Sequence, residues 1–297
     1  MGRVTNAKVI CDSVAPHGGR LVTLQLKFPR FILAQFNTYG SIAKNARSSR
    51  AVPVEKIIAE VMSDPVVPVK WGKRTKGMVA DGPLSESEAS ECGVVWRMAR
   101  MQAVEKAKML NAYGVAKEVV NRLLEPWMRV DVVATAGLPS WSHYLNQRCV
   151  HDAQPEHQEL ARAIGRAIRD STPRILKYHE WHLPYVTEDE FRSAVSGDKV
   201  LAFSDPNWWD KPIHASVRRV RRVSYSPFDG TADTPESDKS KHDESRNAGH
   251  WSCFEHQAYP SADPYFRSGR MTGWNEYRQR FASQVNARFD FSSLGYV

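Results

Sequence analysis

Apolar and polar residues alternate with a period of two along RLVTLQLKFPRFILAQFNT (20–38), where Val22, Leu24 and Leu26 interleave with Thr23, Gln25 and Lys27. That period predicts half-buried strand, and Pro29 divides the stretch into two β segments. Residues 54–65 (VEKIIAEVMSDP) switch to helical spacing and stop before Pro65. A Gly/Lys-rich loop follows over 67–83, and then Ser85 with Glu88 three residues on, the spacing of a capping box. The helix this opens carries an apolar stripe, Val94, Val95, Met98, Met101, Val104, Ala107 and Met109, which reads as a core-facing surface. It is expected to break near Gly114, with a second helix ending at Pro126.

Residues 129–137 (RVDVVATAG) predict a strand, and the segment from Pro139 a turn followed by a helix from about Pro155. An extended stretch over 175–186 and a short helix over 187–195 come next. Period alone leaves 213–226 open between helix and strand, while the Gly, Pro, Asp and Ser clusters of 227–248 predict a mobile polar loop. GHWSCFEHQAYP (249–260) turns into a strand, and MTGWNEYRQRF (271–281) closes as strand or helix. This mixture predicts an α/β (α+β) fold, a central mostly antiparallel sheet flanked by helices, as one domain over 1–297.

Composition adds limits. With 297 residues, 42% hydrophobic and 25% charged, the chain matches a soluble globular protein. A net charge of +8 favours an anionic partner without choosing between nucleotide and nucleic acid. RRVRR (218–222) reads as a solvated strand edge or a phosphate-facing strand. Cys11, Cys92, Cys149 and Cys253 form no CxxC pair, which argues against a zinc ribbon or a disulfide framework and for reduced thiols. No apolar run approaches the roughly 20 residues of a membrane span, and no signal-peptide core opens the chain; a cytoplasmic protein is expected. In HEWH (179–182) the histidines sit three apart in an extended stretch and point to opposite faces, so no metal site is expected. No stripe of aromatics interleaved with Lys and Arg appears, which disfavours a basic nucleic-acid-binding module and leaves it as an alternative.

One segment concentrates anion-binding groups. NTYGSIAKNARSSRAVP (37–53) places Asn45, Ser48, Ser49 and Arg50 together, with Lys44 and Arg47 between them. Turn N–H groups, a serine hydroxyl and an arginine fork make a phosphate seat. The same residues would also serve as a polar loop capping the helix that follows, and composition leaves both readings open.

The segment resembles the signature of the flavin-dependent thymidylate synthases, the ThyX family, in the form found in its longer, phage-type branch. Further blocks in the same order resemble that family: NRLLEP (121–126), VVATAGLPSWSHYLNQRCVHDAQPEHQELA (132–161), SVRRVRRVSY (216–225), GHWSCFEHQAYP (249–260) and MTGWNEYRQRF (271–281). The resemblance implies FAD as cofactor, methylenetetrahydrofolate as one-carbon donor, NADPH as reductant and a homotetramer with active sites between subunits. It implies transfer of a one-carbon unit to C5 of a pyrimidine deoxynucleoside monophosphate, dUMP or dCMP, finished as a methyl or a hydroxymethyl group.

Carried over position by position, the resemblance assigns Gln35, Asn45, Ser48, Ser49, Arg50, Arg122 and Arg148 to the substrate. Thr38, Tyr39, His143, Ser224, His250, Ser252 and Glu255 go to the flavin, and Arg122 and Tyr39 to catalysis. The signature departs from the family where an Arg-His-Arg triplet stands. This chain has Thr38, Tyr39 and Gly40 there, Ala43 for a serine, Ala46 for an acid, and His143 for a flavin-contacting asparagine. Each lost charge-assisted contact costs about 1.5–3 kcal/mol unless Lys44, Arg47 or RRVRR replaces it. The departure motivates a second alternative, a non-catalytic nucleotide-binding subunit of the same fold.

Overall fold

The computed structural model describes residues 5–196, 209–226 and 234–285. In chain order the elements are β1 (Asn6–Val14), β2 (Arg20–Pro29), α1 (Leu33–Asn37), β3 (Ala43–Ala46), α2 (Val54–Ser63), α3 (Glu86–Ala112), α4 (Lys117–Val120) and β4 (Arg129–Gly137). They continue as α5 (Leu138–Arg148), α6 (Pro155–Arg169), β5 (Arg174–Ile175), α7 (Glu188–Ser196), α8 (Asp210–Arg222) and α9 (Pro235–Asn247). β6 (Ala258–Pro260), β7 (Arg267–Ser268), β8 (Met271–Thr272), β9 (Trp274–Glu276) and α10 (Ala282–Val285) close the order.

A five-stranded sheet of order β3-β4-β2-β1-β5 is antiparallel throughout except where β1 pairs with β5. The expected mostly antiparallel sheet flanked by helices is what the chain forms. The two-residue period of β2 works as read: Val22, Leu24, Leu26 and Phe28 face one side and meet Val130, Val132, Ala134 and Ala136 of β4. Phe36 of α1, Trp141 and Tyr144 of α5, and Leu160 and Ile164 of α6 cover that layer. The opposite face carries Leu21 and Val133 against Ile213, Val217 and Val220 of α8, with Trp181, Phe254 and Trp274. A third apolar cluster joins α2, α3 and the turn at 121–127 through Ile57, Val61, Val104, Ala107 and Leu124.

The second face of the sheet is polar where it is deepest. The Thr23 and Thr135 hydroxyls lie 2.6 Å apart, His182 Nε2 meets Thr23 at 2.7 Å, and His256 Nδ1 meets Thr135 at 2.8 Å. Burial pushes both imidazoles down to about 3, so each is neutral at physiological pH. His182 of HEWH is therefore a core histidine, while His179 is exposed. Among the described residues no His/Cys/Asp/Glu group could hold a metal ion, and no helix is long and apolar enough to cross a membrane.

Several expectations are corrected. Beyond Pro29 the chain forms a 3-10 turn (Arg30–Ile32) and α1, because Ile32 and Phe36, four apart, share one buried face. Residues 138–148 are helix α5 instead of a turn, with Trp141 and Tyr144 three apart in the core. RRVRR belongs to α8, whose Ile213, Val217 and Val220 follow helical spacing. The polar stretch expected as a loop over 227–248 contains α9, capped by Thr234 with Pro235 in the first turn; residues 227–233 lie outside the described residues.

The capping box of Ser85 and Glu88 is present. The apolar stripe of α3 is not core: Val104 and Ala107 are buried, but Val95 and Met98 are 65% and 59% exposed, and Val94, Met101 and Met109 are exposed too.

Candidate functional site

β3 is an edge strand, and several of the expected site residues lie on it or beyond its two ends. Asn45 lies opposite Val133 in β4, so its side chain points toward α8. Its Nδ2 donates to the Val220 carbonyl at 2.7 Å and reaches the Ser224 hydroxyl at 3.3 Å. Its Oδ1 accepts from the Ser252 hydroxyl at 3.1 Å. The Ser48 N–H donates to the Ser224 carbonyl at 2.8 Å. Residues 45, 48, 224 and 252, from three sequence blocks, thus share one hydrogen-bonded node.

Past the C-terminal end of β3, Glu125 collects three groups. Its Oε1 accepts from Arg30 Nε at 2.9 Å, from Arg122 Nη1 at 2.8 Å and from the Ser49 hydroxyl at 3.4 Å. Arg50 Nε donates to Glu118 at 2.8 Å in an exposed pair. Arg122, Arg30 and Glu125 line a cavity of about 660 Å³, with Phe31, Trp96 and Glu156. A smaller one of about 280 Å³ is lined by Arg47, Glu60, Asp64, Arg129 and Asp131 and by none of the residues assigned to substrate or flavin.

Before the N-terminal end of β3, Tyr39 is buried against Tyr144, with ring centroids 4.9 Å apart. Arg148 Nε donates to the Tyr39 hydroxyl at 2.6 Å, and the His143 ring lies 6.1 Å from the Tyr39 ring. Lys44 Nζ donates to the Tyr39 carbonyl at 2.6 Å; burial, with Arg270 nearby, lowers it to about 8. Arg270 donates to the Gly40 carbonyl and, at 3.2 Å, to Glu255, which is buried and also pairs with Arg278.

The structure thus brings together Asn45, Ser48, Ser224 and Ser252; Ser49 and Arg122; and Tyr39, His143 and Arg148. It does not bring Arg148 to Ser48, Arg50 and Arg122. Arg148 contacts the chain before β3 and the others lie after it, and a strand of this length spans about 13 Å. Gln35 and Thr38 are exposed in the stretch that leads into Tyr39, with the Thr38 hydroxyl donating to the Gln35 carbonyl at 2.7 Å.

The cations named as replacements for the lost triplet are engaged elsewhere. Arg47 forks onto Glu60 at 2.8 Å and 2.8 Å, and Lys44 holds backbone carbonyls. Arg218 pairs with Asp238, Arg219 with Glu190 and Arg221 with Glu244.

Residues that the sequence did not single out are Arg30, Glu125, Arg270 and Arg278. Glu125 had a local signal, three residues beyond Arg122. Arg270 had none, because its partners Gly40 and Glu255 are remote along the chain.

A flavin is compatible with the surface at the start of β3. A Cβ built on Gly40 meets nothing within 4 Å, so the backbone lies open there. Exposed Thr38 and His143 lie beside it through Tyr39, with Arg148 half-buried and Arg270, which holds the Gly40 carbonyl, partly exposed; His250 and Ser252 are exposed as well. Glu255 is not open to a ligand; it holds Arg270 and Arg278 in place.

The family model of the thymidylate synthase complementing protein matches residues 20–174, more than half of the chain, from β2 through α6. The chain belongs to this family. Flavin-dependent thymidylate synthases from two strains of Thermus thermophilus resemble it over 188 residues, one at 26% identity and the other at 24%. Each match covers 63% of this chain and 66% of the relative, so the chain spans just under two thirds of the relatives' length. The matched family region contains Gln35 through Arg148, and the node residues Ser224 and Ser252 lie beyond it.

Proposed function

We propose that the protein transfers a one-carbon unit from methylenetetrahydrofolate to C5 of a pyrimidine deoxynucleoside monophosphate, with FAD as cofactor. The observation that carries this reading is the node of Asn45, Ser48, Ser224 and Ser252, where three blocks that are remote in sequence and each carry the family resemblance meet. Ser48, Ser49 and Arg50 would seat the phosphate. Arg122, turned by Glu125 toward the 660 Å³ cavity, would address the base edge. Arg148 would contact a nucleotide held at the other end of β3, which fits a site assembled between the subunits of a homotetramer.

Thr38, Tyr39, His143, Ser224, His250 and Ser252 would hold the flavin, with Glu255 orienting Arg270 beside it. The flavin, when bound and reduced by NADPH, supplies the hydride that completes a methyl group. Where water captures the methylene instead, the product is hydroxymethyl and needs no hydride. Tyr39 and Gly40 favour that second outcome, because their polar groups are occupied by Arg148, Lys44 and Arg270 in place of a cationic triplet.

The test is the absorbance spectrum of the purified protein, followed by incubation of dUMP or dCMP with labelled donor, with and without NADPH. A flavin spectrum and a C5-modified nucleotide are expected, and the product mass separates methyl from hydroxymethyl. Nucleotide binding without flavin or turnover would leave the non-catalytic subunit as the answer.

A further inference from the structure

The cavity that holds Arg122 does not end at that residue. A second cavity, of about 410 Å³, shares Lys70 and Pro155 with it and continues along α6 past Arg162 and Arg166. From Pro155 to Arg166 this groove follows about 16 Å of helix.

Its cations are positioned. The Val69 N–H donates to buried Glu156 at 2.9 Å, which ties the start of the basic loop to α6 and sets Lys70 at the junction. Gln158 donates to the carbonyls of His151 and Ala153 at 2.9 and 2.7 Å, and its fixed Oε1 accepts from Arg162 at 2.9 Å. The carboxylates of the groove are already partnered: Glu125 by Arg30 and Arg122, Glu156 by Val69, and Glu159 as well. The cations of the lining, Arg30, Lys70, Arg122, Arg162 and Arg166, outnumber its carboxylates, Glu125, Glu156 and Glu159, so the wall presents net positive charge to a ligand. Its aromatics, Phe31 and Trp96, stand only at the Arg122 end.

We propose that this groove takes the oligo-γ-glutamyl tail of the folate donor, with the donor's rings at Phe31 and Trp96 and its row of carboxylates on Lys70, Arg162 and Arg166. This rests on the one-carbon transfer reading. A single-stranded nucleic acid is disfavoured, because successive bases need successive stacking platforms and the α6 end has none.

The experiment compares methylenetetrahydrofolate carrying one glutamate with the same donor carrying five, on the purified protein and on the variant Lys70→Gln/Arg162→Gln/Arg166→Gln. KM for the longer donor is expected about tenfold lower than for the shorter one. The variant should erase that difference, with kcat and the KM of the shorter donor unchanged. Equal KM values for the two donors on the unaltered protein overturn the proposal.

Binding of a fluorescent hexa-γ-glutamate without folate is measured in parallel. Its retention by the unaltered protein and loss in the variant support the groove even where no turnover is found, which would place the failure on the one-carbon reading. Absence of hexa-γ-glutamate binding, or much tighter binding of a single-stranded oligonucleotide lost in the same variant, overturns the proposal.

Discussion

Replacing Asn45 by alanine removes the hub of the site and has a cost that can be worked from its contacts. The Val220 carbonyl loses a 2.7 Å donor inside the protein and keeps only the Val223 N–H at 3.2 Å, and a hydrogen bond lost in this way costs about 0.5–1.5 kcal/mol. The Ser224 and Ser252 hydroxyls contact Asn45 at 3.1–3.4 Å. Ser252 is exposed and Ser224 half-buried, so water replaces much of what they lose. A net loss of about 1 kcal/mol follows, against the roughly 5–15 kcal/mol of a typical domain. With a urea slope near 3 kcal/mol/M, the unfolding midpoint falls by about 0.3 M at unchanged slope. Asn45→Asp should destabilise similarly, since a carboxylate cannot donate to Val220, yet it still accepts from both serines. Flavin content after purification should therefore drop further in Asn45→Ala than in Asn45→Asp. A midpoint within experimental error of the unaltered protein for Asn45→Ala would refute the claim that this side chain joins the three blocks.

Burial depresses His157 and His242 to about 4 and His182 and His256 to about 3. The unfolded chain, with histidines near 6.5, takes up those protons first, so the stability is fully present above about pH 6.5 and is lost as the pH falls toward 3–4, by up to about 1.4 kcal/mol per pH unit per histidine. Urea midpoints measured between pH 7 and 5 should fall steeply, and His182→Gln should flatten the slope. Arg47→Met should lower stability by about 2 kcal/mol, because Arg47 is buried and half-exposed Glu60 and buried Asp131 lose their cation, and calorimetry should show nucleotide affinity little changed. Arg50→Met should do the reverse: its exposed pair with Glu118 is worth under about 1 kcal/mol, while dUMP affinity should drop about tenfold. If the homotetramer proposed above buries the exposed stripe of α3, Val95→Glu/Met98→Glu places charge in that contact, and light scattering should show a smaller mass for the variant than for the unaltered protein.

Much of the frame was legible from local pattern. The period of β2, the capping box of α3, Pro155 opening α6 and the strand at 129–137 each depend on residues a few positions apart, and each is found where the pattern placed it. The errors fell where local chemistry underdetermines the element. Ile32 and Phe36 follow a proline that would equally begin a strand, and only packing against Phe28 and Tyr144 selects the helix. The polar run over 235–247 has almost no apolar periodicity, and its helix rests on a Thr234 cap and on α8. The stripe of α3 reads as core because periodicity reports amphipathicity and cannot name what covers the face.

The sequence by itself determined which chemical groups are present and in what order: a serine-arginine cluster, an NRLLEP block, a GHWSCFEH block, and a tyrosine-glycine pair where cations would stand. Tertiary structure decided which of these groups are available. Arg47 and the arginines at 218, 219 and 221 are held by carboxylates 13 to 29 positions away, Glu255 by arginines 15 and 23 positions on, and Asn45 by residues about 180 and 207 positions on. A charge's usefulness depends on its partners, and those partners are chosen by the pairing of β3 against β4 and the docking of α8, which no stretch of local sequence encodes.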